Sequence, residues 1–147
     1  MTAVRSGPVQ PVGEGLFDWP PARADAPGVL HGAKCSRCQE VVFPRLSDCP
    51  VCMQPDVMEP YAVQGLGTLV DFVVTQRGPA GFAVPYVQGY IKLDDGPTIY
   101  SLLTRVEPTE TGPVIGARMS MVIEGVRSVG DVEIIGWKFE PVEAGNA

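Results

Sequence analysis

The chain has 147 residues and a formal net charge of −6, with 45% hydrophobic and 19% charged residues. That size suits one modest core with a small appendage, and that apolar content excludes wholesale disorder. The acidic balance and only 11 scattered basic residues exclude the Lys/Arg patch that binding to phosphate backbones requires, and no apolar run approaches the roughly 18 residues of a membrane span.

Residues 1–30 are rich in proline (Pro8, Pro11, Pro20, Pro21, Pro27) and sustain no period of 3.6 or 2, so an extended arm is expected there. Its Leu16, Phe17 and Trp19 either cover this chain's own core or dock on a partner. Met1 to Pro21 lacks the basic and apolar regions of a signal peptide, so a soluble, cytoplasmic protein is expected.

Residues 31–60 read as a metal ribbon and 61–142 as a β-barrel, with 143–147 as a flexible tail. Five short β candidates follow residue 65: 67–76, 86–93, 97–104, 118–125 and 132–139. Each is rich in β-branched or aromatic residues and bounded by Gly, Pro or Asp. Asp94-Asp95-Gly96-Pro97 is a hairpin turn, because such turns demand positive φ. Gly65 and Gly67 mark entry to the first barrel strand, since no helix follows to make them a phosphate loop. The expected fold class is mainly β: an N-terminal rubredoxin-like zinc ribbon followed by a five-stranded OB-fold barrel.

The cysteines are spaced C-x2-C-x10-C-x2-C as Cys35, Cys38, Cys49 and Cys52. Each C-x-x-C can present two sulfurs from one tight knuckle, and two knuckles complete a tetrahedral site for one structural ion. Disulfides seldom persist in a reducing compartment, and a redox C-x-x-C needs a βαβ setting that this segment lacks. Zn²⁺ is favoured; Fe accepts the same four thiolates, which leaves a rubredoxin-like electron carrier as an alternative.

A closed four-sulfur site has no open position for substrate. With every cysteine so committed, and His31 read as an exposed loop residue, no nucleophile and base remain to pair, so no catalytic residue is assigned. Asp94 and Asp95 have a sufficient reason in their turn. The loop containing Arg77, Gly78, Gly81, Phe82, Pro85 and Tyr86 is either a solvated connection or a recognition loop, for which rigid aromatics and Arg are suited. Arg77 is the only cation between Gly65 and Ile91.

Gly32, Cys35, Cys38, Phe43, Pro44, Arg45, Cys49, Pro50 and Cys52, then Gly67-Thr68-Leu69, Pro85-Tyr86 and Leu93-Asp94-Asp95-Gly96, carry a resemblance over residues 30–140. They resemble the zinc-ribbon OB-fold family of acyl-CoA-associated, thiolase-accessory proteins, including small subunits of benzoylsuccinyl-CoA-type thiolases and a related domain of steroid side-chain aldolases. The Pro-rich arm departs from that family, which has a helical pair before the ribbon. The resemblance implies a non-catalytic subunit, with structural Zn²⁺, that docks on a thiolase-like catalytic subunit in a hetero-oligomer such as a heterotetramer and shares its acyl-CoA. Arg77, Phe82 and Tyr86 are then the residues expected to face the CoA or the partner. A single-stranded nucleic-acid-binding OB-fold is the other class considered, and the acidic charge argues against it.

Overall fold

The computed structural model describes residues 9–12, 15–17 and 28–142. Trp19 and the 143–147 tail lie outside the described residues. Among the described residues there are nine strands and no helix: β1 (Val9–Pro11), β2 (Val29–Cys35), β3 (Val41–Val42), β4 (Met58–Gln64), β5 (Leu66–Thr75), β6 (Tyr86–Leu93), β7 (Thr98–Leu103), β8 (Arg118–Val129) and β9 (Val132–Pro141).

Strands β5 to β9 close into a barrel. The hydrogen-bonded order β9-β7-β6-β5-β8 is completed by a β8–β9 pairing, and β7 runs parallel to β9 while the other neighbours are antiparallel. This five-stranded closed sheet is the OB-fold, and it leaves no long unpaired edge. The period-2 pattern aims Val87, Ile91 and Leu93 of β6, Ile99 and Leu103 of β7, and Met119 and Met121 of β8 into one interior with the fully buried Phe139. Gly96 closes the β6–β7 hairpin at φ 127°, a backbone region that disfavours side chains, and its N–H donates to the Leu93 carbonyl at 3.0 Å.

The ribbon is a three-stranded antiparallel sheet in the order β3-β2-β4. Pro60, which lacks an N–H for the ladder, is tolerated because β4 is an edge strand. Leu30, Val41 and Val63 from this sheet join the barrel's residues in a single apolar cluster. Where the units meet, Gly28 N–H donates to Met121 O at 3.2 Å, Gly65 N–H to Gly28 O at 2.9 Å, and Met121 N–H to Gly65 O at 2.8 Å.

Two pieces of the N-terminal arm attach to this body. Strand β1 lies parallel to β9, and buried Phe17 bridges Leu30 and meets Trp137 edge-on at 6.0 Å. Leu16 and Phe17 thus cover the chain's own core. His31 is not a loop residue as expected but a half-buried member of β2, where its ring nitrogen lies 3.2 Å from the Gly15 carbonyl. The Val29–Cys35 run pairs along its whole length with β4, and that tertiary pairing overrides the local Gly32 signal.

Candidate functional site

The two cysteine knuckles share one backbone design. In the first, the Cys35 N–H donates to Glu40 O at 2.8 Å and Gln39 N–H returns to Cys35 O at 3.1 Å; in the second, Cys49 N–H donates to Gln54 O and Met53 N–H to Cys49 O, both at 3.0 Å. Gln39 and Met53 each take positive φ, 70° and 64°, to turn the chain back. The knuckle amides then aim at sulfur: Arg37 and Cys38 N–H lie 3.3 and 3.4 Å from Cys35 Sγ, and Val51 and Cys52 N–H both 3.4 Å from Cys49 Sγ. Arg45 braces the tip by donating from Nε to the Gly32 carbonyl at 2.8 Å.

All four sulfurs lie within 4.8 Å of one another. Cys35 and Cys52 Sγ are 3.7 Å apart and Cys38 and Cys49 Sγ 3.5 Å, against about 3.8 Å between sulfurs tetrahedral about an ion at about 2.3 Å. The amide of Cys38, helped by that of Arg37, holds the Cys35 thiol down at about 6, and the Cys52 amide lowers Cys49 similarly. Burial and the neighbouring sulfurs push the Cys38 thiol up to about 12 and raise that of Cys52, and the four-sulfur set, deprotonated on binding, can hold a metal ion.

The loop between β5 and β6 walls a second site, a cavity of about 290 Å³ on the outer face of the barrel. Phe82 and Tyr86, two of the three loop residues singled out from sequence, line it, with ring centres 5.8 Å apart. Arg77 is exposed and does not line the cavity. Tyr100 and Leu102 of β7, Trp137 of β9, Val126 of β8 and Val12 complete the walls. Gln88 and Ser101 are its polar members. The loop is docked against the β8–β9 hairpin: Ser128 N–H donates to Gly81 O at 3.2 Å, and the Arg127 guanidinium lies 5.4 Å from the Phe82 ring centre. At Gly81, whose φ is 93°, a Cβ would collide with the Ser128 carbonyl oxygen, so this approach requires glycine.

A second cavity adjoins the first and shares Gln88 and Tyr100 with it. Tyr90 and Tyr100 are 48% and 46% exposed, with ring centres 4.8 Å apart. Tyr100 Oη donates to Gln88 Oε1 at 2.6 Å, and desolvation, with the neighbouring tyrosines, raises its phenol above the ordinary value. Apart from Tyr86, the residues that β6 and β7 contribute to these cavities were not expected as a site. A signal existed: their outward positions carry Tyr86, Tyr90, Tyr100 and Leu102 where a solvated strand face is ordinarily polar.

An OB-fold barrel carrying a four-thiol ribbon defines the class of protein. The family model described as "ChsH2, C-terminal OB-fold domain" matches residues 60–124. A DUF35 domain-containing scaffold protein of Pyrococcus furiosus is 30% identical over 77% of this chain and 83% of its own length. One of the same description from Methanothermobacter thermautotrophicus is also 30% identical, over 76% and 86%. The benzoylsuccinyl-CoA thiolase subunit BbsA of Thauera aromatica is 36% identical over 56% of each chain. Among solved structures, a chain of the Ltp2-ChsH2(DUF35) aldolase superposes with a TM-score of 0.58 over 77% of this chain and 84% of that one, at 20% identity, a likeness of fold. The chain belongs to the DUF35 domain-containing family.

Proposed function

We propose that this chain is a non-catalytic accessory subunit of a thiolase-type acyl-CoA enzyme, a thiolase or an aldolase, which docks on the catalytic partner and helps to bind the acyl-CoA. Zn²⁺ held by Cys35, Cys38, Cys49 and Cys52 would supply folding energy to the ribbon and no chemistry. The observation that carries this reading is that Cys35, Cys38, Cys49 and Cys52 converge on one cluster, so none of them is left free as a thiol nucleophile. Asp94 and Asp95 are spoken for too: Asp94 pairs with Arg118 at 2.7 and 2.9 Å, and Asp95 Oδ2 accepts the Gln64 N–H at 3.1 Å. The relatives named as scaffold proteins and as a thiolase subunit support the same role.

The test is co-purification with the thiolase-like enzyme and assay of each part. The complex should turn over acyl-CoA and the isolated chain should not; turnover by the chain alone would refute the proposal. Arg77, with Phe82 and Tyr86, is proposed to face the CoA or the partner, so Arg77→Ala should weaken assembly or acyl-CoA binding by about 2 kcal/mol, with Arg37→Ala as the control.

A second reading, single-stranded nucleic-acid binding, has the exposed Tyr90 and Tyr100 rings, tilted 40° to one another, in its favour, since OB-folds bind bases on aromatic side chains. Anisotropy of a labelled oligonucleotide decides it; the net charge of −6 leads us to expect no binding.

A further inference from the structure

We infer that the cavity under the β5–β6 loop is a seat for an uncharged ring system, and that it therefore takes the acyl end of the ligand and not the nucleotide end. This rests on the acyl-CoA reading above only for the identity of the natural ligand. The seat itself is argued from the cavity.

Among the described residues, none that lines the cavity is charged. Arg127 lies over the Phe82 ring, and Arg77 is exposed and does not line the cavity. A phosphate entering here would lose its hydration without gaining a cation, which strongly opposes binding. An apolar ring meets the opposite conditions. Phe82, Tyr86, Tyr100 and Trp137 offer aromatic surfaces for stacked or edge-on contact. The volume, about 290 Å³, is roughly twice the 150 Å³ or so that accommodates one benzene in an apolar protein cavity. Two fused rings, or one ring with a short chain, fit that space.

The polar groups suit a ligand with a neutral oxygen. Tyr100 spends its proton on Gln88 Oε1, which leaves the Gln88 amide N–H groups as donors toward a carbonyl or hydroxyl. The adjoining cavity, which shares Gln88 and Tyr100 and has Asp71 at its wall, gives the remainder of the ligand a way out along the β6–β7 face. The walls are also largely preformed, because the loop is fixed to the β8–β9 hairpin through Gly81 and Ser128.

The experiment follows the Trp137 indole N–H and the Leu102, Val126 and Val12 methyls by NMR in the full chain while 2-naphthol is added, and in parallel free coenzyme A without an acyl group. The naphthol should shift these signals together, with a Kd on the order of 0.1–1 mM for so small a ligand. Free coenzyme A at the same concentrations should leave them in place. Leu102→Trp, which fills the cavity from β7, should weaken naphthol binding at least about tenfold. Should that variant fold poorly, intermolecular NOEs between naphthol and Trp137 in the native chain give the same answer. Naphthol shifts confined to other surfaces, or free coenzyme A moving the cavity signals, would overturn the inference. Neither arm needs the catalytic partner. Failure to assemble with a thiolase-type enzyme while naphthol still binds would remove the accessory-subunit reading and leave the seat standing.

Discussion

Between Ser36 and Val57 the ribbon tip buries only Val41 and Cys49, whereas the barrel buries Leu69, Val87, Ile91, Leu93, Met119, Met121 and Phe139 around one interior. The tip has too little apolar surface to offset the entropy of ordering its residues, so its knuckles hang on the sulfurs. The barrel has ample surface and needs no ion. The contrast teaches that one short chain can hold two regions by different physics, provided they share a boundary. Here Leu30, Val41 and Val63 give the ribbon's base a place in the barrel's core.

The sharpest break of that comparison removes one sulfur. Cys49→Ser should lose the metal and unfold the tip, because a structural zinc site contributes on the order of 10 kcal/mol to the segment it organises. Metal analysis should fall from about one ion per chain to none, and hydrogen exchange over residues 36–57 should lose protection while β5 to β9 keep theirs. Unchanged tip protection in the metal-free variant would show that the knuckles hold themselves.

The converse change tests the barrel. Phe139→Ala at a fully buried position should cost about 3–5 kcal/mol of unfolding free energy in a denaturant titration. The folded fraction should keep its metal, since Phe139 is remote in the topology from the knuckles. A cost under about 1 kcal/mol would mean that the barrel interior repacks around the void.

The smallest effect belongs to the surface pair beside the hairpin turn. Arg118, by hydrogen bonding and then by charge, lowers the Asp94 carboxyl below its ordinary value. Its stabilisation is therefore present above about pH 4, where an unfolded Asp is ionised, and is lost as pH falls through the lower folded value. Both side chains are well exposed, 40% and 49%, so Asp94→Asn should cost under about 1 kcal/mol at neutral pH. The difference between variant and native chain should vanish in strong acid; a pH-independent difference would assign the effect to the turn's backbone.

Much of the barrel was legible because its signals are local. Alternation located the Tyr86–Leu93 strand to the residue, and Asp-Gly located the turn that follows. The strand beginning at Arg118 runs past the expected end at 125 to Val129, because a bulge between Gly125 and Arg127 carries the pairing through the glycine. Strand β4 was hidden by Pro60, whose tolerance depends on β4 being an edge. The four-sulfur cluster was legible from spacing alone, since both knuckles are closed by residues adjacent in sequence. The cavity was only partly so: Phe82 lies on the loop and Tyr86 where the loop enters β6, but Val12, Tyr100, Val126 and Trp137 reach it from four separate strands or their margins, which no local pattern connects.

The Gly81–Ser128 contact has a mechanical side. The β8–β9 hairpin turns at Val129 to Val132, with β1 paired along β9 from Glu133 to Ile135, and Phe82 is fastened to that end through Arg127 and Ser128. Tyr100 and Leu102, by contrast, belong to the rigid barrel wall. The cavity is thus set between two plates, one in the barrel wall and one carried by a hairpin that β1 braces along β9, so its gap is a property of how those strands are joined and not of the loop alone.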